Sequence, residues 1–169
     1  MTPAGLWTRI GIGLGAATLT VLTLDVESPG IAAVPLEVAL TVAAGSGAVL
    51  FVILARRRPT VRLGDTPFSS AARLAFLALW AAIEETIWRW LVLGELATRT
   101  NVVIALLASA TAFGWLHSRS RLVHTATGLA FGTVYVATGQ LAAAIVTHLT
   151  YNLLVAGEHG SARRVTRQA

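Results

Sequence analysis

Residues 74–93 read LAFLALWAAIEETIWRWLVL, an apolar stretch about as long as the roughly 20 residues that a helix needs to cross a bilayer. Three ionisable side chains interrupt this stretch: Glu84, Glu85 and Arg89. A charged residue at the centre of a membrane helix costs about 2.5–3.5 kcal/mol, so such residues usually pair with one another or serve a function. The stretch therefore predicts a membrane helix that carries polar groups for one of these two purposes.

The composition of the chain indicates the same class of protein. Hydrophobic residues make up 55% of the 169 residues, charged residues make up 12%, and the mean hydropathy is +0.70. These values are typical of an integral membrane protein. The net charge of +5 comes from arginines at the ends of apolar stretches, which favours topology signals over a nucleic-acid partner. Because cysteine is absent, disulfides, thiolate metal sites and a cysteine nucleophile are excluded.

Turn-forming residues divide the chain into apolar stretches of membrane-spanning or near-spanning length. Two of these turns are the Ser28–Gly30 segment and Gly139. The arginine-rich segment Arg56–Ser70 is long enough to hold an interfacial helix. We predict an all-α, polytopic membrane helix bundle of about six transmembrane helices, at residues 6–24, 34–54, 72–93, 102–116, 122–138 and 141–156.

The arginines predict how this bundle is oriented, because arginine and lysine near the ends of spans favour the cytoplasm. In the six-helix arrangement Arg99 alone falls on the outer side, so both termini are expected to be cytoplasmic. Lysine is absent while arginine and alanine are abundant, which favours a bacterial plasma-membrane protein. Alternatively, the first span is a signal peptide with its cleavage region near Ile31–Val34. The arginines expected on the cytoplasmic side of the six-helix arrangement are Arg9, Arg56, Arg57, Arg58, Arg62, Arg73, Arg119, Arg121, Arg163, Arg164 and Arg167.

The charged residues of the third span divide into a pair and a single carboxylate. Glu85 and Arg89 are four residues apart with the glutamate on the N-terminal side, which is the favoured orientation for an ion pair along a helix. Glu84 lies about 100° around the helix and has no such local partner. A pair that only joins helices explains Glu85 and Arg89, but it leaves Glu84 unexplained.

Two other spans carry polar residues at helical spacing. Phe113 and His117 share a face of the fourth span, and His148 and Asn152 share a face of the sixth. A glutamate with two histidines can activate a water molecule and stabilise an oxyanion. The same groups could bind zinc, with His117, His148 and Glu84 as ligands, although no H-E-x-x-H helix is present. The requirement for a metal cofactor therefore stays open, and both versions are hydrolytic.

The order of these residues resembles that of the CPBP family of intramembrane proteases. This family includes type II CAAX prenyl endopeptidases and relatives, labelled Abi, that are linked to bacteriocin self-immunity. The resemblance covers about Ala72–Leu154 and includes the glycine-rich stretch Thr127–Leu141. Its motifs are Glu84-Glu85-x-x-x-Arg89, Phe113-x-x-x-His117 and His148-x-x-x-Asn152.

The resemblance implies a role for each residue of the three motifs. Glu84 resembles the catalytic base that activates water, with His117 assisting. His148 and Asn152 resemble the pair that polarises the scissile carbonyl and stabilises the oxyanion. The residues that resemble structural support of the site are Glu85, Arg89 and Phe113.

We therefore expect an intramembrane endopeptidase that cleaves a membrane-associated substrate, with or without a prenyl group, near the cytoplasmic face. The expected organisation is two N-terminal helices and an arginine-rich loop at residues 1–71, a catalytic core at 72–156, and a basic cytoplasmic tail at 157–169. The alternatives are a non-proteolytic immunity protein that binds a partner, and a small transporter, for which no repeat of spans is evident. His124 and His159 are expected to be interfacial or solvated.

The predicted topology leaves one geometric problem. Glu84 and His148 fall near the middle of their spans, whereas His117 lies roughly 10 Å closer to the cytoplasm, at 1.5 Å of rise per residue. These groups can meet if a helix tilts, if the fourth helix is displaced, or if the site opens towards the cytoplasm. We favour the last arrangement, because hydrolysis needs water and polar groups at depth need a wet cavity.

Overall fold

The computed structural model describes residues 3–30, 34–54, 70–118 and 120–168, and over these residues the chain is an all-α bundle without strands. The prediction of an all-α helical bundle is therefore confirmed. Residues 56–69 of the predicted arginine-rich loop lie outside the described residues, and Ser70 begins the next helix. The elements are α1 (Pro3–Thr23), α2 (Leu36–Leu54), α3 (Ser70–Glu85), a π-helix (Thr86–Leu93), α4 (Gly94–Arg99), α5 (Val102–Leu116), α6 (Arg121–Thr138) and α7 (Leu141–Gln168).

Two helices differ from the sequence-based prediction in length and in type. The third span was predicted as one α-helix, but α3 changes into a π-helix after Glu85 and then continues as α4 to Arg99. The last helix, α7, extends to Gln168 and so includes the segment predicted as a tail. The π-helix could not be predicted because the apolar pattern of residues 86–93 fits an α-helix equally well.

The described helices include two that are long and apolar enough to cross a membrane, at Gly5–Thr23 and Leu36–Leu54. Shorter apolar helices lie at Val102–Leu116 and Leu141–Gly157. Many of their apolar side chains point outward, and Val52, for example, is 71% exposed. Large apolar side chains are exposed in this way when a surface faces lipid or another apolar partner.

Small residues allow the helices around the bundle centre to approach closely. A Cβ atom added at Gly114 of α5 would collide with Thr125 Oγ1 of α6, and one added at Gly128 of α6 would lie 3.3 Å from the backbone of Ala110. A Cβ atom at Gly47 of α2 would lie 2.6 Å from a backbone oxygen of α7. Close approach through small residues is the usual way in which membrane helices associate.

The first helix packs on the third through apolar side chains. Ile10 of α1 lies in one buried cluster with Phe76, Leu77 and Ile83 of α3. Trp7 contacts the edge of Phe76, with ring centroids 6.3 Å apart. These contacts place α1 beside the helix that carries the glutamates.

Candidate active site

The two glutamates lie where α3 changes into the π-helix. Glu85 ends α3, and the backbone N–H of Gly94 donates to the carbonyl oxygen of Arg89, five residues earlier, as a π-helix requires. Short π-helical segments inside α-helices are frequent at functional sites. The wider turn begins directly after the glutamates.

Glu85 is fully buried and uses both carboxylate oxygens. Arg89 Nε donates to Glu85 Oε2 over 2.8 Å, and His148 Nδ1 lies 2.8 Å from Glu85 Oε1. Arg89 is also fully buried, and its guanidinium carbon lies 5.3 Å from the ring centroid of Phe113. The sequence predicted the pair with Arg89, but it gave no sign that Glu85 also binds His148 of α7.

Glu84 lies between the two histidines of the motifs. Its Oε1 is 3.8 Å from His117 Nε2, and its Oε2 is 3.7 Å from His148 Nε2. Both distances to the histidines are too long for direct hydrogen bonds, but a water molecule can bridge groups at such a separation.

The hydrogen bonds of the two histidines determine which ring nitrogens face Glu84. His117 Nδ1 lies 2.7 Å from the carbonyl oxygen of Phe113, which can only accept, so Nδ1 carries a proton. By the same argument, the Glu85 carboxylate assigns a proton to His148 Nδ1. The second nitrogen, Nε2, faces Glu84 in both histidines; it accepts a hydrogen bond when the imidazole is neutral and donates one when both ring nitrogens are protonated.

A cavity of about 330 Å³ opens beside Glu84, and all four residues that the sequence suggested as catalytic line it. These are Glu84, His117, His148 and Asn152. The remaining wall is mostly apolar and aromatic. On α3 this wall precedes Glu84, and on α7 it follows His148; it is formed by Phe76, Leu77, Trp80, Phe113, Val123, His124, Thr127, Phe131, Tyr151, Val155 and Ala156.

The conformation at the end of α5 explains how His117 meets Glu84, although the two residues were predicted to lie at different depths in the membrane. His117 follows the last residue of α5 and has extended backbone angles, φ −93° and ψ 97°. Its ring therefore leaves the helix axis and reaches Glu84. The cavity lies towards the same ends of the helices as the exposed Arg73 and Arg121.

His124, which the sequence analysis expected at the interface or in solvent, is partly exposed and also contacts the candidate site. Its ring stacks on that of His117, with centroids 4.1 Å apart and planes inclined by 10°. It also lines the cavity. The sequence spacing was consistent with this placement, because His124 and Phe131 are seven residues apart and therefore share a face of α6. The side chain of His159 lies outside the part of the chain whose side chains are described.

Phe113 of the second motif lies between Trp88 and His117. It is 2% exposed, and its ring lies 4.5 Å from that of His117. Trp88 packs against its edge, with centroids 5.8 Å apart and planes inclined by 78°. Phe113 therefore joins the π-helix to the end of α5 and to His117.

Glu84, His117 and His148 carry the oxygen and nitrogen atoms that zinc prefers as ligands. Among the described residues, no group of three histidine, cysteine, aspartate or glutamate side chains is arranged to hold a metal ion. The zinc set suggested by the sequence, His117, His148 and Glu84, is therefore not among such groups.

Comparison with known proteins identifies one family. The family model for type II CAAX prenyl endopeptidase, Rce1-like, matches residues 67–154, slightly more than half of the chain. The matched region includes all residues of the three motifs and excludes α1 and α2. Comparisons with curated proteins and with solved structures gave no match.

Proposed function

The chain belongs to the Rce1-like family of type II CAAX prenyl endopeptidases, and we propose that it hydrolyses a peptide bond through a water molecule activated by Glu84. One observation carries this proposal. The Glu84 carboxylate faces the Nε2 atoms of His117 and His148 at 3.8 and 3.7 Å, inside a cavity that Asn152 also lines. Three separate parts of the chain supply these groups, and a general base needs such convergence.

The proposed reaction begins with a water molecule between Glu84 and His117. Glu84 takes a proton from this water molecule while the oxygen of the water attacks the carbonyl carbon of the scissile bond. His117 assists through Nε2, which is directed at Glu84 because Nδ1 is bonded to Phe113. A positioned general base contributes typically 10²–10⁴-fold to the rate.

The attack produces a tetrahedral intermediate with a negatively charged oxygen. His148 and Asn152 are the proposed hydrogen-bond donors to this oxyanion. The Asn152 side chain offers an amide N–H₂ group from the cavity wall. When His148 carries protons on both ring nitrogens, Nε2–H donates to the oxyanion while Nδ1–H stays bonded to Glu85. The intermediate collapses when the C–N bond breaks and the proton held by Glu84 passes to the leaving nitrogen. The products are a carboxylic acid and an amine.

The walls of the cavity favour a substrate with apolar groups near the scissile bond. Phe76, Leu77, Val155 and Ala156 form the part of the wall furthest from Glu84 along α3 and α7. A membrane-associated peptide, prenylated or not, meets this requirement. The wall lies towards the arginine-bearing ends of the helices, which supports cleavage near the cytoplasmic face in a multi-pass protein with both termini in the cytoplasm.

The organisation of the chain follows from the same proposal. The core at residues 72–156 holds every group of the mechanism, while the N-terminal helices within residues 1–71 pack on it from outside. Ala39 and Ala43 of α2 lie in a buried cluster with Ala143 of α7. The basic cytoplasmic tail of this proposed organisation, residues 157–169, continues α7 as far as Gln168.

The proposal is tested with purified protein and a panel of membrane-tethered peptides, half of them prenylated. Cleavage products are identified by mass spectrometry for the wild type, Glu84→Ala and the matched control Glu95→Ala. Glu95 lies in α4, which continues the helix that carries Glu84, but it is partly exposed and pairs with Arg99 away from the cavity. We expect wild type and Glu95→Ala to cut the same bond and Glu84→Ala to cut none. Cleavage by Glu84→Ala at the wild-type rate, or folded wild type that cuts no peptide, would contradict the proposal.

A further inference from the structure

Helix α6 supplies no residue of the three motifs, yet it places one flat ring against each of the two motif histidines. The His124 ring lies 4.1 Å from that of His117, with planes inclined by 10°. The Phe131 ring lies 4.6 Å from that of His148, with planes inclined by 18°. Both pairs are therefore stacked face to face.

The two supporting rings belong to one face of α6. His124 and Phe131 are seven residues apart, which is about two turns or roughly 10.5 Å along the helix. Thr127 lies between them, is buried, and donates its hydroxyl to the carbonyl oxygen of His124. All three residues line the cavity that contains Glu84. We call these three residues the α6 platform.

The platform is held in place by its own contacts. His124 Nδ1 lies 3.1 Å from the carbonyl oxygen of Ser120, which restrains the rotation of the ring. Phe131 is 1% exposed, and its ring also contacts Tyr151 of α7, with centroids 6.4 Å apart. Gly114 of α5 allows α6 to approach the end of α5 closely enough for the stack on His117.

The two histidines differ in how much they need this support. His148 lies within α7 and is almost buried, and Glu85 holds its Nδ1. His117 lies beyond the last residue of α5, and its side chain is 30% exposed. A hydrogen bond to the carbonyl oxygen of Phe113 fixes the position of Nδ1, and the Phe113 ring lies 4.5 Å away at a tilt of 53°, so neither contact lies flat against the imidazole. A stacked ring restrains the plane of His117 and hence the direction of Nε2.

We propose that His124 and Phe131 are positioning residues, which hold the rings of His117 and His148 so that both Nε2 atoms face Glu84. This inference rests on the proposed function, because it assigns a purpose to the direction of the two nitrogens. His124 has the larger effect, since His117 has less support from its own helix. The required property of residue 124 is a flat ring, so phenylalanine can replace it.

The test compares His124→Ala with His124→Phe, and Phe131→Leu with the wild type, in the peptide-cleavage assay. A stacked aromatic pair is worth about 0.5–1.5 kcal/mol beyond its buried area, which corresponds to about 2- to 10-fold in rate. We expect His124→Ala to lower kcat by about this factor while KM stays unchanged, and His124→Phe to restore kcat. Phe131→Leu should have a smaller effect in the same direction. The control Leu129→Ala, on the partly exposed outer face of α6, should match the wild type.

Two results in this assay would overturn the platform. One is wild-type kcat in His124→Ala. The other is a failure of His124→Phe to restore activity, which would show that the imidazole itself is needed.

A second measurement separates this inference from the proposed function. Carbon-13 relaxation of histidine Cε1 in labelled, detergent-solubilised protein reports the mobility of the His117 ring without any substrate. The ring should become more mobile in His124→Ala and stay ordered in His124→Phe, even if no peptide is cleaved. An equally ordered His117 ring in His124→Ala would contradict the platform whatever the cleavage assay shows. Absence of cleavage together with the expected mobility would refute only the proposed function.

Discussion

Removal of the Glu85 carboxylate should destabilise the bundle far more than removal of an exposed carboxylate with the same spacing to an arginine. Glu85 and Arg89 are both fully buried, with Nε and Oε2 2.8 Å apart. Arg89 Nη1 and Nη2 are also buried without a hydrogen-bond partner among the described residues, so Glu85 is the principal compensation for the guanidinium charge. Removing one partner of a buried pair costs about 3–5 kcal/mol. This is the loss in unfolding free energy that we expect for Glu85→Ala.

The chain provides a matched control on the same helical path. Glu95 and Arg99 have the same spacing and lie 3.0 Å apart, but their side chains are 37% and 75% exposed. An exposed pair is worth about 0–1 kcal/mol, so Glu95→Ala should cost no more than this. The double variant Glu85→Leu with Arg89→Leu should recover most of the lost stability, because it leaves no uncompensated charge. Cleavage should stay impaired in the double variant, since His148 loses the partner of its Nδ1.

The assay is reversible unfolding in mixed detergent and denaturing-detergent micelles, followed by tryptophan fluorescence. Glu85→Ala should lower the unfolding free energy by far more than Glu95→Ala. Equal unfolding free energies for these two variants would refute this prediction, because the buried pair would then stabilise the fold no more than the exposed one.

Three further predictions concern helix contacts, a helix end and the oxyanion. Gly114→Ala should cost about 1–3 kcal/mol of unfolding free energy, because the added Cβ collides with α6. The control is Gly11→Ala, where the added Cβ meets nothing within 4 Å. Equal unfolding free energies for these two variants would contradict the close approach of α5 and α6. Asn101→Ala should cost about 0.5–2 kcal/mol, because Asn101 Oδ1 accepts from two N–H groups at the start of α5; an unchanged midpoint of unfolding would contradict this. Asn152→Ala should lower kcat by about 10²–10³-fold with little change in stability, and single-turnover kinetics at the wild-type rate would exclude Asn152 as an oxyanion donor.

The helices were predictable because their signals are local. The fourth predicted span, residues 102–116, has the same bounds in the structure, where Asn101 caps its first turn. Gly139 ends α6 with φ 67°, a left-handed conformation that glycine adopts easily, and this turn was also predicted. An apolar run of sufficient length and a residue that stops it are both visible in the sequence.

The features that the sequence did not predict depend on contacts between helices. The spacing of Glu85 and Arg89 predicts the partner of one oxygen of the Glu85 carboxylate. Nothing in the local sequence indicates that His148, 63 residues away, is the partner of the other oxygen. His124 has a polar neighbourhood in the sequence, and its stack on His117 exists only because α5 and α6 pack closely. The three motifs identified the residues around the cavity, whereas the ring contacts that orient them required the structure.

The most direct test of the account is the rate of peptide cleavage by Glu84→Gln in liposomes, relative to wild type and to Glu95→Gln. Glutamine keeps the size of the side chain and removes the base, so a loss of about 10²–10⁴-fold is expected, with the fold intact. Each rate is measured with and without a chelator, and the account predicts that the chelator has no effect. A Glu84→Gln rate within a few-fold of the wild-type rate would contradict water activation by Glu84, and wild-type activity abolished by the chelator would contradict a mechanism without a metal.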